Sequence, residues 1–199
     1  MRRDNLYKLP DSIPTPVDDG ACDHLLGARV PSTPLRSTSG GWVNLADAST
    51  QRTVVYCYPR TGVPDEEPPG GLEAWNSIPG ASGCTPQSCA FRDHFNELQA
   101  LNATVFGLST QTTEYHQEMR ERLHLPFEVL SDSELAFTKA LRLPTLRVGP
   151  ETLIKRQTLI IEDEKIIKVF YPVFPPDKNA EEVIAWLLRH TSTHECEGL

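Results

Sequence analysis

The sequence predicts an α/β domain with a central mixed sheet flanked by helices on both faces, and three observations lead there. Short β-branched and aromatic runs alternate with amphipathic helical stretches along the middle of the chain. Two β-rich runs near the C-terminus are split by a tight polar turn, and a last amphipathic helix follows them. Strands separated by helices need crossovers and so pair in parallel, whereas a hairpin adds antiparallel strands; together they give a mixed sheet.

The elements follow in order. Residues 1–40 are rich in Pro, Gly, Ser, Thr and Asp without periodicity, which predicts an irregular extension or short strands packed on the domain. TVVYCY (53–58) is an apolar run ending at Pro59, a buried strand with Cys57 as a small core residue. Residues 60–83 hold several prolines and glycines and predict a long loop insert, of the kind that is usually functional or mobile. CTPQSCAFRDHFNELQAL then places Phe91, Phe95 and Leu98 at helical spacing, with Pro86 suited to the first turn. ATVFGLS (103–109) reads as a buried strand, TTEYHQEMRERLHL (112–125) as a helix, and FEVLSD (127–132) as a short strand. SELAFTKALRL (133–143) reads as a helix capped by Ser131 or Ser133. RQTLIIED (156–163) and KIIKVFYP (165–172) form the hairpin, and NAEEVIAWLLRH (179–190) the closing helix. The domain therefore spans 41–190, with 191–199 a loose tail.

At 199 residues the chain suits one core. Its 19 basic against 27 acidic residues leave a net charge of −8 with no basic stripe, which argues against a nucleic-acid partner. No apolar window is long enough to span a membrane, and the start lacks an export signal, so a cytoplasmic location is the default expectation. Five unevenly spaced cysteines do not make a disulfide-stapled module, and are expected mostly as thiols.

Cys84 stands where the long loop becomes a helix. Unpaired amides and the positive end of the helix dipole favour a thiolate there, the nucleophilic form of sulfur. Cys89 follows five positions on, rotated by about 140° and about 7.5 Å along a helix, so the folded helix cannot bridge the two. Pairing them requires the first turns to unwind. By spacing alone the pair is equally well two ordinary thiols, one exposed and one buried; metal binding lacks a second ligand pair.

The run GCTPQSCAFRDHF (83–95) closely resembles the active-site helix of the peroxiredoxins, in the bacterioferritin-comigratory or Q-type branch. VVYCYP (54–59), VFGLST (105–110), LPFEVLSD (125–132) and RQTLIIEDEKIIKVF (156–170) resemble further family segments in the same order, over about residues 40–190. The resemblance implies a thioredoxin-like fold and a thiol peroxidase acting on hydrogen peroxide and organic hydroperoxides. It implies Cys84 as the peroxidatic cysteine, Cys89 as the resolving cysteine, and Arg156 as the residue that stabilises thiolate and peroxide. Thioredoxin or a similar dithiol protein would be the reductant, without cofactor or metal, in a monomer or homodimer. One departure stands out: the family places a threonine three positions before the cysteine, where this chain has Ala81. Ser82 or Thr61 would supply the hydroxyl if the loop folds back, and Trp75 would shield the pocket or anchor the loop. The alternative is a thioredoxin-fold redox sensor or binding module with little turnover.

The remaining candidates have plainer readings. Arg92 and Asp93 are expected as an ion-paired face, His116 and His124 as surface residues, and Cys22 and Cys57 as structural. Cys22 in its irregular segment is also open as a second thiol facing a reductant. His190, His194 and Cys196 are read as a chance cluster, since a tail offers no preorganised shell.

Overall fold

The computed structural model describes residues 5–47 and 52–190. Its strands are β1 (Pro34–Ser37), β2 (Trp42–Asn44), β3 (Arg52–Cys57), β4 (Ala103–Ser109), β5 (Glu128–Ser131), β6 (Thr145–Val148), β7 (Glu151–Ile154), β8 (Gln157–Glu162) and β9 (Lys165–Phe170). Its α-helices are α1 (Leu72–Asn76), α2 (Cys84–Asp93), α3 (Phe95–Ala100), α4 (Thr113–Leu123), α5 (Ala136–Leu141) and α6 (Asn179–Arg189). Seven strands form one sheet in the order β2-β1-β5-β4-β3-β8-β9. β3, β4 and β5 run parallel, and the β1, β2, β8 and β9 pairings are antiparallel. The expected mixed sheet is therefore present, with the parallel strands at its centre.

Alternation along β3 divides the core. Val54, Tyr56 and Tyr58 face one side, where Phe91 of α2, Met119 and Leu123 of α4, and Val183 and Leu187 of α6 cover them. Val55 and Cys57 face the other, under Phe137 and Leu141 of α5, under Leu25 and Leu35 of the N-terminal extension, and under Leu45 just beyond it. The extension thus does a helix's work on the second face. The β8–β9 hairpin turns through Asp163 and Glu164, both with positive φ, the geometry whose twist matches paired strands.

Several expectations are corrected. The helix from Cys84 does not run unbroken to Leu101: His94 leaves helical geometry and divides it into α2 and α3. Neither Ser131 nor Ser133 caps α5; Asp132 does, accepting from the amides of Phe137 at 3.0 Å and Thr138 at 2.7 Å, because a carboxylate offers two acceptors to the orphan donors of the first turn. The 60–83 loop contains α1, and residues 145–154 form a second hairpin, β6–β7, that periodicity did not reveal. Trp75 of α1 packs with Ala81 against Val148 and Leu153 of that hairpin, so the insert is anchored through an apolar cluster. His116 is not a surface residue but fully buried, whereas His124 is exposed at the end of α4. The cluster of His190, His194 and Cys196 falls partly outside the described residues.

Gly83 sets the entry to α2. Its φ is +95°, and an added Cβ would lie 2.4 Å from Pro176 Cγ and 2.6 Å from Leu9 Cδ2. Loop, helix and the segment before α6 can meet there only without a side chain. We expect Gly83→Ala to destabilise the protein by about 2–4 kcal/mol, combining backbone strain and overpacking, read as a lowered urea midpoint; an unchanged midpoint would contradict this close packing.

Candidate active site

The family resemblance implies that Cys84 and Arg156, 72 positions apart, meet in the folded protein. They do: Arg156 Nη2 donates to Cys84 Sγ at 3.1 Å. Pairing of β8 beside β3 places Arg156, the residue just before β8, below the start of α2. Arg156 and Cys84 are each only 3% exposed. The guanidinium is held by neutral groups: Nη2 also reaches the carbonyls of Gly80 at 3.3 Å, Ala81 at 3.2 Å and Ser82 at 2.9 Å. Nη1 donates to Gln87 Oε1. Gln87 Nε2 in turn donates to Asn179 Oδ1 at 3.0 Å, which also accepts from Thr158 Oγ1 at 2.6 Å. This buried relay from β8 through α2 to the start of α6 fixes the plane of the guanidinium. Sequence reasoning missed Asn179 and Thr158 as its supports; both are polar residues at otherwise apolar ends of elements, a signal that gains meaning only with the packing.

The sulfur opens into a cavity of about 40 Å³, room for about three water-sized molecules. Leu6 from the extension, Thr61, Trp75 and Ser82 from the insert, and Tyr115 from α4 line it with Cys84. The loop has thus folded back over the cysteine. Ala81 is buried and offers only its carbonyl, 3.4 Å from the sulfur, to which the protonated thiol donates. Ser82 Oγ donates to Asn76 Oδ1 at 2.5 Å and Thr61 Oγ1 to Gln111 Oε1 at 3.2 Å. Both hydroxyl protons are therefore engaged, on Asn76 and Gln111. Trp75 combines both roles considered for it, as wall of the cavity and as anchor of the loop.

Cys89 lies on the same helix, half-buried, and burial pushes its thiol pKa up. Both cysteines are free thiols. Four residues of intact helix stand between them. Arg92 is ion-paired with Asp93 at 2.8 Å and also donates to Leu123 O. Cys57 is fully buried in β3. Cys22 donates to Gln157 Oε1 at 2.9 Å, and burial pushes its thiol up to about 12. Neither thiol shares the cavity. Among the described residues no cluster of three metal-binding side chains occurs, and no helix is long and apolar enough to cross a membrane.

Comparison with known proteins places these features in a wider frame. A family model described as Redoxin matches residues 25–184. A chloroplastic peroxiredoxin Q of Oryza sativa subsp. japonica is 31% identical over 159 residues, covering 79% of this chain and 64% of the relative. The chain thus spans somewhat under two thirds of that relative's length. A peroxiredoxin bcp of Coxiella burnetii is 26% identical over 165 residues, covering 81% of this chain and 97% of the relative. Among solved structures, the peroxidoxin BcpB of Mycobacterium tuberculosis superposes with a TM-score of 0.68 at 22% identity, covering 84% of this chain and 98% of that one. A mutant of Xylella fastidiosa PrxQ gives 0.67 at 23% identity, covering 83% and 96%. These likenesses establish the thioredoxin-like fold.

Burial at the edge of the site has a pH consequence. His116 Nε2 meets Ser109 Oγ at 2.7 Å, its Nδ1 is buried without a partner, and burial lowers its pKa to about 3. The unfolded imidazole binds a proton near pH 6.5 that the folded one refuses, so stability is complete above that pH and falls as the pH drops toward 3. We expect about 1.4 kcal/mol lost per pH unit below 6.5 from this residue, measured by urea unfolding between pH 7 and pH 5, and a shallower slope in His116→Gln.

Proposed function

The chain belongs to the redoxin family, in its peroxiredoxin Q branch, and we propose that it reduces hydrogen peroxide and organic hydroperoxides with Cys84 as the attacking sulfur. The observation that carries this reading is the Arg156 guanidinium 3.1 Å from Cys84 Sγ, at a helix start and beside a cavity. The guanidinium donates directly to the sulfur and so is placed to pair with it in the form that attacks. The thiolate attacks one peroxide oxygen, the O–O bond breaks, and the departing oxygen takes a proton to leave as water or alcohol. Cys84 becomes a sulfenic acid. Arg156 stabilises the charge that moves onto the departing oxygen, and the hydroxyl oxygens of Ser82 and Thr61 accept hydrogen bonds from the substrate in place of the side chain absent at Ala81.

Cys89 then attacks the sulfenic sulfur, water leaves, and a Cys84–Cys89 disulfide forms. Since α2 keeps the two sulfurs apart, its first turns unwind at this step. Unwinding also brings Cys89 out of the half-buried setting that keeps it a thiol. A dithiol protein such as thioredoxin restores both thiols by exchange, taking the disulfide's oxidation onto itself.

The decisive experiment follows peroxide consumption with thioredoxin, thioredoxin reductase and NADPH. We expect Cys84→Ser to abolish turnover, and Arg156→Gln to slow oxidation of Cys84 by about 10²–10³. Cys89→Ser should react once with peroxide and then stop cycling. Undiminished cycling in Cys89→Ser would remove Cys89 from the resolving role. A disulfide that forms with stoichiometric peroxide but supports no turnover would favour the sensor reading, for which the alanine at position 81 is the motivating feature.

A further inference from the structure

We propose that Trp75 and the loop that carries it form a size filter over Cys84, admitting hydrogen peroxide and the smallest alkyl hydroperoxides while excluding aryl and long-chain lipid hydroperoxides. The inference rests on the peroxidase reading and adds to it the class of substrate. Its starting point is the cavity: about 40 Å³ beside the sulfur, where a water needs at least about 10–15 Å³. Two bonded oxygens fit that space. A cumyl group, with an aromatic ring and two methyls on the carbon bearing the peroxide, must pass or press on Trp75, Arg60 and Tyr115, which line the same space.

The wall is built to stay in place. Trp75 is only 4% exposed and packs on Ala81, Val148 and Leu153. At the other end of the loop Arg60, which also lines the cavity, donates twice through Nη1 to the Glu151 carboxylate, at 2.9 and 2.8 Å, on the same β6–β7 hairpin. Tyr115 Oη donates to Thr61 O at 3.1 Å. The return of the loop is fixed by Ser82 on Asn76 and by Arg156 on the carbonyls of Gly80, Ala81 and Ser82. Admitting a bulky group would require the tryptophan to leave its cluster, so that cost falls on large substrates and spares small ones. Steric exclusion of this kind discriminates by the fit of the reacting complex.

The test uses the reduced full-length protein and single-turnover oxidation of Cys84, so that no reductant enters the result. Rates are compared for hydrogen peroxide, tert-butyl hydroperoxide and cumene hydroperoxide. We expect that order, with hydrogen peroxide faster than cumene hydroperoxide by about 10–100-fold. Trp75→Ala should raise the cumene-to-hydrogen-peroxide ratio about tenfold, and Trp75→Phe should stay near the wild type. Should Trp75→Ala fail to fold, the wild-type order and Val148→Ala, which thins the backing of the indole, decide the matter. Equal rates for all three peroxides in the wild type, or variants that change all three alike, would overturn the filter and leave the peroxidase reading standing. No oxidation of Cys84 by any of them would overturn both.

Discussion

A buried guanidinium governs this site. Arg156 is almost wholly withdrawn from water, and removing a cation from water costs several kcal/mol unless its donors are met. Three loop carbonyls, one side-chain amide and one sulfur accept from its two terminal nitrogens, while Nε is buried without a hydrogen-bond partner among the described residues. Every one of these except the sulfur is neutral, so the protein offers the cation just one group able to become an anion. The same donors hold the end of the long loop, so the chemistry at Cys84 and that end of the loop share one side chain.

The first turn of α2 carries two opposed demands. It must be rigid enough to present Cys84 to Arg156, which the close approach of Gly83, Leu9 and Pro176 secures. It must also be able to open if Cys84 is to reach Cys89. Loop, extension and hairpin surround that turn while the sheet lies below it. Opening therefore withdraws Cys84 from the cluster on one face of β3 and uncovers the buried Thr85, Pro86 and Gln87, while the cluster on the other face contains no residue of α2.

Local pattern carried much of this to the page. The strands β3, β4, β8 and β9 and the helices α4 and α6 lie within a residue or two of the runs that predict them, because each combines a clear period with turn signals at its ends. Failures fall where the signal is tertiary. The β6–β7 hairpin has too few alternating residues to declare itself, and its apolar side chains serve the insert as much as the sheet. His116 looks like a polar residue on a helix, but α4 turns that position onto Tyr58 and Ser109. Ser131 and Ser133 lost the cap to Asp132, whose side chain reaches two amides at once.

The sequence by itself determined the order of strands and helices, the family, and which cysteine begins a helix, since these depend on residues near one another along the chain. Its local patterns did not bring Arg156 to that cysteine, which only the family resemblance implied, did not show that Gln87, Asn179 and Thr158 would brace it, and did not decide between shielding and anchoring for Trp75. Those are contacts between distant segments, decided by how β8 pairs with β3 and how the insert packs on a hairpin. No local period encodes such distances; only burial of the shared surfaces fixes them.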